Sequence, residues 1–181
     1  MLSGDGLKQL RERLSGLSGA GVVLPEAGDT GKRHLRQLDL SGADLRGLRL
    51  SGVYLEDVVL RGADLRGAVL EDVVFSGCDL TGARLEGSVW ERVLARYVIA
   101  DDTSWDGAEV HECHFLGSFR RARFGSGIWD QVHFYTSDLR DSLGAVMEGT
   151  VSAVASEGKR GFGGRPRGPA RGSLLREGLG R

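Results

Sequence analysis

His111, Cys113 and His114 stand within four residues of one another, and imidazole and thiolate are common zinc ligands. The register worked out below sends His111 and His114 outward and Cys113 inward, so the three do not converge. His114 and His133 occupy equivalent outward positions and would stack, but two ligands make no site. Gly28-Asp29-Thr30-Gly31-Lys32 has the wrong spacing for a phosphate-binding loop and lacks Ser or Thr after Lys32. No nucleophile–base pair and no isolated carboxylate pair stands out. The reading is of a chain with no enzymatic site, no cofactor and no metal.

What remains as chemistry is charge. The 181 residues carry 24 Lys plus Arg and 25 Asp plus Glu, a net of −1. That balance hides a division. Residues 35–156 hold 12 basic and 19 acidic residues (net −7), whereas residues 157–181 hold seven basic and two acidic (net +5). The tail, with Lys159, Arg160, Arg165, Arg167, Arg171, Arg176 and a single aromatic, Phe162, is too rich in Gly and charge to bury a core. It reads as a disordered segment able to make weak, salt-sensitive contact with nucleic acid. Two cysteines make no disulfide framework, which fits a reducing, cytoplasmic setting. No apolar stretch approaches the ~18 residues needed to span a bilayer, so no membrane partner is expected.

The elements that hold these charges follow from a repeat of five. Every fifth residue from Leu35 to Leu85 is Leu or Phe, eleven in succession, and the register continues through Trp90, Ala95, Ala100, Trp105, Val110 and Phe115. It then slips by one and resumes at Phe119, Phe124, Trp129, Phe134 and Leu139. Two residues before each centre from Leu40 onward stands a small or apolar residue, such as Ala43, Val53, Ala63 or Cys78. Side chains two apart in an extended piece face the same way, so both point inward and the residue between them points out. Gly recurs two after the centre (Gly42, Gly62, Gly82, Gly117), where a type II turn requires positive φ. Leu45, Leu65, Leu85, Trp90, Trp105, Phe115 and Trp129 are thereby core centres. Trp90 and Trp105 share a set of four centres with Ala95 and Ala100, which conserves interior volume.

Units such as Ala43-Asp44-Leu45-Arg46-Gly47 and Ala63-Asp64-Leu65-Arg66-Gly67 resemble the A(D/N)LXX motif of the pentapeptide-repeat family, over roughly residues 35–143. The resemblance implies an all-β, right-handed quadrilateral β-helix of about 5.5 coils. Its four repeats per coil stack residues twenty apart, over about 26 Å of rod. It also implies protein binding, the family's characterised members being duplex-DNA mimics that bind DNA gyrase or topoisomerase IV as dimers through a C-terminal helix. An alternative is a structural, regulatory or effector scaffold with no topoisomerase role.

With that coil length, two faces collect carboxylates. One carries Asp39, Asp79, Asp101 and Asp102 against Arg61, and the other Glu71, Asp72, Glu91, Glu109 and Glu112 against Arg49 and Arg92. These are the candidate mimic surfaces. A third face stacks Tyr54, Val74, Leu94 and His114, with Tyr97 and Leu116 beside them, as a candidate apolar docking stripe. Short helices are expected at the two ends. Leu7, Leu10, Leu14 and Leu17 mark one within residues 1–34, and Leu143, Val146, Met147, Thr150, Val151 and Val154 mark one over 144–156. The second would cap the rod or pair two copies.

Overall fold

The computed structural model describes residues 33–144, 146–148 and 151–154. In chain order its strands are β1 (Arg33–Arg36), β2 (Arg49–Ser51), β3 (Val53–Glu56), β4 (Val69–Glu71), β5 (Val74–Ser76), β6 (Val89–Glu91) and β7 (Leu94–Ile99). There follow β8 (Glu109–His111), β9 (His114–Ser118), β10 (Ser126–Asp130), β11 (Val132–Tyr135), β12 (Val146–Glu148) and β13 (Val151–Val154). The odd-numbered strands form one parallel sheet of seven and the even-numbered strands another of six. Two ladders of single bridges close the remaining sides, Asp39–Val59–Asp79–Ile99 and Asp44–Asp64–Arg84–Ser104–Arg123. Four ladders make a four-sided β-solenoid, and its seven-stranded side spans about 29 Å at ~4.8 Å per step.

The corners explain the glycine content. The second residue after a centre adopts left-handed φ near +60°, as at Gly42, Gly62, Asp57 and Asp102. Glycine takes that conformation without a Cβ clash. Along the two bridge-built sides most corners are closed turns, with Ala43 N–H donating to the Leu40 carbonyl (3.1 Å) and Ala68 N–H to that of Leu65 (3.0 Å). The outward Asp of the repeat belongs to this turn. Asp39, Asp44, Asp64, Asp79 and Asp138 each accept the backbone N–H two residues on. This is the Asx geometry that makes Asp favourable there.

The slip of one residue has a definite site. Across β7 and β9, Arg96 faces Leu116 but Val98 faces Gly117, so Tyr97 is bulged out. Gly117 departs from the expected left-handed turn, with φ +155° rather than about +60°. The shortened coil runs against the β7 backbone, and a Cβ on Gly117 would strike the Val98 carbonyl.

The interior is a column of centres. Leu45, Leu65, Leu85, Trp90, Trp105, Phe115 and Trp129 are all buried. Trp90 and Trp105 pack at 4.9 Å between ring centroids, where the small Ala95 and Ala100 leave room. Their indoles bring a polar N–H into an apolar core. Ser88 and Thr103, two residues before each, accept those N–H groups at 2.9 and 2.8 Å and donate to the Leu85 and Ala100 carbonyls. Gly127 stands at the equivalent position before Trp129, whose indole N–H has no partner among the described residues. Cys78 and Cys113 are buried too; burial raises the Cys78 thiol and pushes that of Cys113 up to about 12.

The helix expected over 144–156 is corrected. That stretch supplies β12 and β13, which pair in parallel with β10 and β11 and extend both sheets by a rung. The expected N-terminal helix and the basic tail lie outside the described residues.

Candidate functional site

Asp39 and Asp79 lie on one bridge ladder, and Asp101 and Asp102 follow Ile99 at its next rung, but their charges are occupied. Asp39 accepts the N–H and hydroxyl of Ser41, which hold its carboxyl below the usual range. Burial pushes Asp79 upward, yet Thr81 and Arg61 offset this and leave it lowered, with Arg61 Nε at 2.6 Å. Asp101 is not a surface group: it is 3% exposed and accepts from Ser118 Oγ, Arg120 N–H and Arg120 Nε. Asp102 is held low by the fork of Arg121, at 2.7 and 2.6 Å. Its mimic role is corrected for Asp101 because a carboxylate enclosed by three donors presents no charge to a partner.

The second face differs along its length. Ser51, Glu71, Glu91, His111 and Asp130 form one vertical column, paired rung to rung. Asp72, Arg92 and Glu112 follow at the adjoining corner, each N–H donating to a carbonyl of the next rung. In the lower half Arg92 gathers three carboxylates, reaching Asp72 at 2.9 Å, Glu71 at 2.5 Å and Glu91. These contacts raise its guanidinium above the ordinary value, the Asp72 hydrogen bond first. In the upper half Glu109 and Glu112 are exposed, and neither these two nor Asp130 has an ion-pair partner among the described residues. Six carboxylates against one guanidinium give a net of −5 over three rung steps, about 14 Å.

Asp130 was not among the sequence candidates. It enters because the slipped register pairs it with His111, nineteen residues earlier rather than twenty. His111 therefore lies in an acidic column. Cys113 donates to the His111 carbonyl at 3.1 Å, and no group of three metal-ligating side chains forms among the described residues.

The apolar column also assembles: Tyr54, Val74, Leu94 and His114 pair in succession, with His34 below and His133 above. Its rings largely face one another. His34 stacks on Tyr54 at 4.8 Å and His114 on His133 at 5.2 Å. Arg96 lies over the Tyr54 ring and donates to its hydroxyl. Val74, Leu94 and Leu116 are half-buried, while Tyr97 projects from the bulge at 75% exposure.

The repeat, its turns and its four ladders coincide with a family match: the pentapeptide-repeat model is met in eight copies across residues 34–62 and 54–89. Residues 34–89 are thus built of pentapeptide repeats. Solved pentapeptide-repeat structures resemble it at low identity. Trypsin-treated QnrB1, a plasmid-mediated fluoroquinolone resistance protein, is 17% identical, with TM-score 0.45 over 66% of this chain and 70% of that one. Full-length QnrB1 is 14% identical, with TM-score 0.31 over 74% and 82%. HetL, involved in heterocyst differentiation regulation in the cyanobacterium Nostoc sp. strain PCC 7120, is 18% identical, with TM-score 0.20 over 68% and 81%. No curated protein matches.

Proposed function

We propose that this pentapeptide-repeat protein is a non-catalytic interaction rod that docks a cationic protein surface on the face of β4, β6, β8 and β10. The observation that carries the reading is the charge of that face: Glu71, Asp72, Glu91, Glu109, Glu112 and Asp130 against Arg92 along these four strands, with Arg49 one rung below on β2. Duplex DNA carries about eight phosphate charges over the same ~14 Å. A net of −5 is within a factor of two of that density. The family resemblance supplies the specific candidate, the DNA-binding surface of a type II topoisomerase, DNA gyrase or topoisomerase IV. The test is gyrase supercoiling, and its inhibition by a quinolone, with and without the purified chain. The reading expects inhibition or protection, reduced in Glu109→Gln/Glu112→Gln; no effect at micromolar protein would remove the topoisomerase role.

A second reading keeps the scaffold and drops the topoisomerase. It is favoured by the arginine pairing of the other acidic face, where Arg61, Arg120 and Arg121 neutralise Asp79, Asp101 and Asp102. All twelve basic residues of 35–156 are arginines, whose planar forks suit such pairing. That rod would recognise its partner by shape and hydrogen bonds more than by charge.

A further inference from the structure

The acidic face has a complementary segment within the same chain. Residues 157–181 carry seven basic and two acidic residues, and Arg160, Arg165, Arg167 and Arg171 fall within twelve positions. We propose that this tail docks across the upper half of the acidic face, on Glu109, Glu112 and Asp130, and so occupies the surface that a cationic partner would use.

Three observations converge. The first is charge: a net of +5 in the tail meets a net of −5 on the face. The second is what that face lacks. Arg92 serves Glu71, Asp72 and Glu91, while the three carboxylates above it have no basic side chain paired to them among the described residues. The third is where the described chain ends. β12 lies on the same sheet as Glu109 and Asp130, one rung beyond β10, and β13 is on the side reached immediately after it. From Val154 to Arg160 is six residues, which span up to about 20 Å when extended. That reaches back around one corner of the rod and down its upper rungs. A tethered segment acts at an effective concentration in the millimolar range, so even a weak contact is populated.

The contact is read in the protein alone, without a topoisomerase. Backbone amide shifts of Glu109, Glu112 and Asp130 are compared between the full chain and a full-length variant with Arg160, Arg165, Arg167 and Arg171 all changed to Gln. Docking predicts shift changes confined to this face, reproduced in the unaltered chain by raising salt from 50 to 500 mM. A synthetic peptide of residues 157–181 added to the Arg→Gln variant restores the original shifts. Its affinity falls about fivefold when the acceptor also carries Glu109→Gln and Glu112→Gln, the effect of removing two exposed ion pairs. Unchanged shifts in the Arg→Gln variant, or peptide affinity indifferent to Glu109 and Glu112, overturn the proposal. So does a tail that binds nucleic acid while the face's shifts stay as they are. Failure of the topoisomerase assay with these shift changes intact would leave the tail contact standing and remove only the topoisomerase reading.

Discussion

Thr103→Val tests how this core accommodates tryptophan. Thr103 is fully buried; its hydroxyl donates to the Ala100 carbonyl at 2.7 Å and accepts the Trp105 indole N–H at 2.8 Å. Valine keeps the shape and removes both bonds. An unpaired buried N–H costs about 1–3 kcal/mol, and the lost hydroxyl bond about 1 more. Subtracting the small gain from a buried methyl leaves about 2–3 kcal/mol, or roughly 5–10 °C in Tm for a chain of this size. Urea unfolding of the single variant gives the total. The assignment to the indole comes from a double-mutant cycle with Trp105→Phe, which has no N–H to satisfy. In that background Thr103→Val should cost only about 1 kcal/mol, a coupling of 1–2 kcal/mol. An equal cost in both backgrounds would show that the hydroxyl does not serve the indole and would reduce the Ser88–Trp90 and Thr103–Trp105 pairs to coincidence.

Leu65→Lys should yield no cooperatively folding protein, because it buries an unpaired charge worth at least 3–5 kcal/mol in a filled column; circular dichroism and thermal melting check this. Burial raises the Cys113 thiol to about 12, above its unfolded value near 9. Its contribution is thus full below pH 9 and lost as pH rises toward 12, and alkaline melting should be less steep in Cys113→Ala. Asp64, Asp79, Asp102 and Asp138 are lowered in the fold, so their contribution is present above about pH 4 and lost as pH falls below it. Acid titration followed by tryptophan fluorescence should show that loss. Val74→Glu with Leu94→Glu should keep the fold, since both side chains are half-exposed; a fall in partner affinity at unchanged melting temperature would join the apolar column to the docking interface.

Much of this architecture was legible because large residues mark its period. Leu35 to Leu85 fix both the five-residue unit and the inward direction, and the twenty-residue stacking of Tyr54, Val74 and Leu94 follows. The signal fails where centres shrink. After Leu139 the next centres fall on Gly144 and Gly149, and the register shortens again, from twenty between β10 and β12 to nineteen between β11 and β13. The surviving apolar residues, Val146, Met147, Val151 and Val154, then mimic helical spacing. Which carboxylates stay free was also hidden. Arg61 reaches Asp79 across eighteen residues and Arg120 reaches Asp101 across nineteen, contacts set by how the chain returns one coil later. Local sequence shows an outward Asp but not the arginine that arrives from the next rung.

The proposed binding surface is the acidic face of β8 and β10. Its most direct test is competition. Purified DNA gyrase is titrated with labelled full-length chain, and unlabelled duplex DNA is added at low salt. Binding through this face means that DNA displaces the chain, and that Glu109→Gln, Glu112→Gln and Asp130→Asn together weaken the complex about tenfold, the sum of three exposed pairs. A complex that tolerates saturating DNA, or one indifferent to the three substitutions, would contradict it.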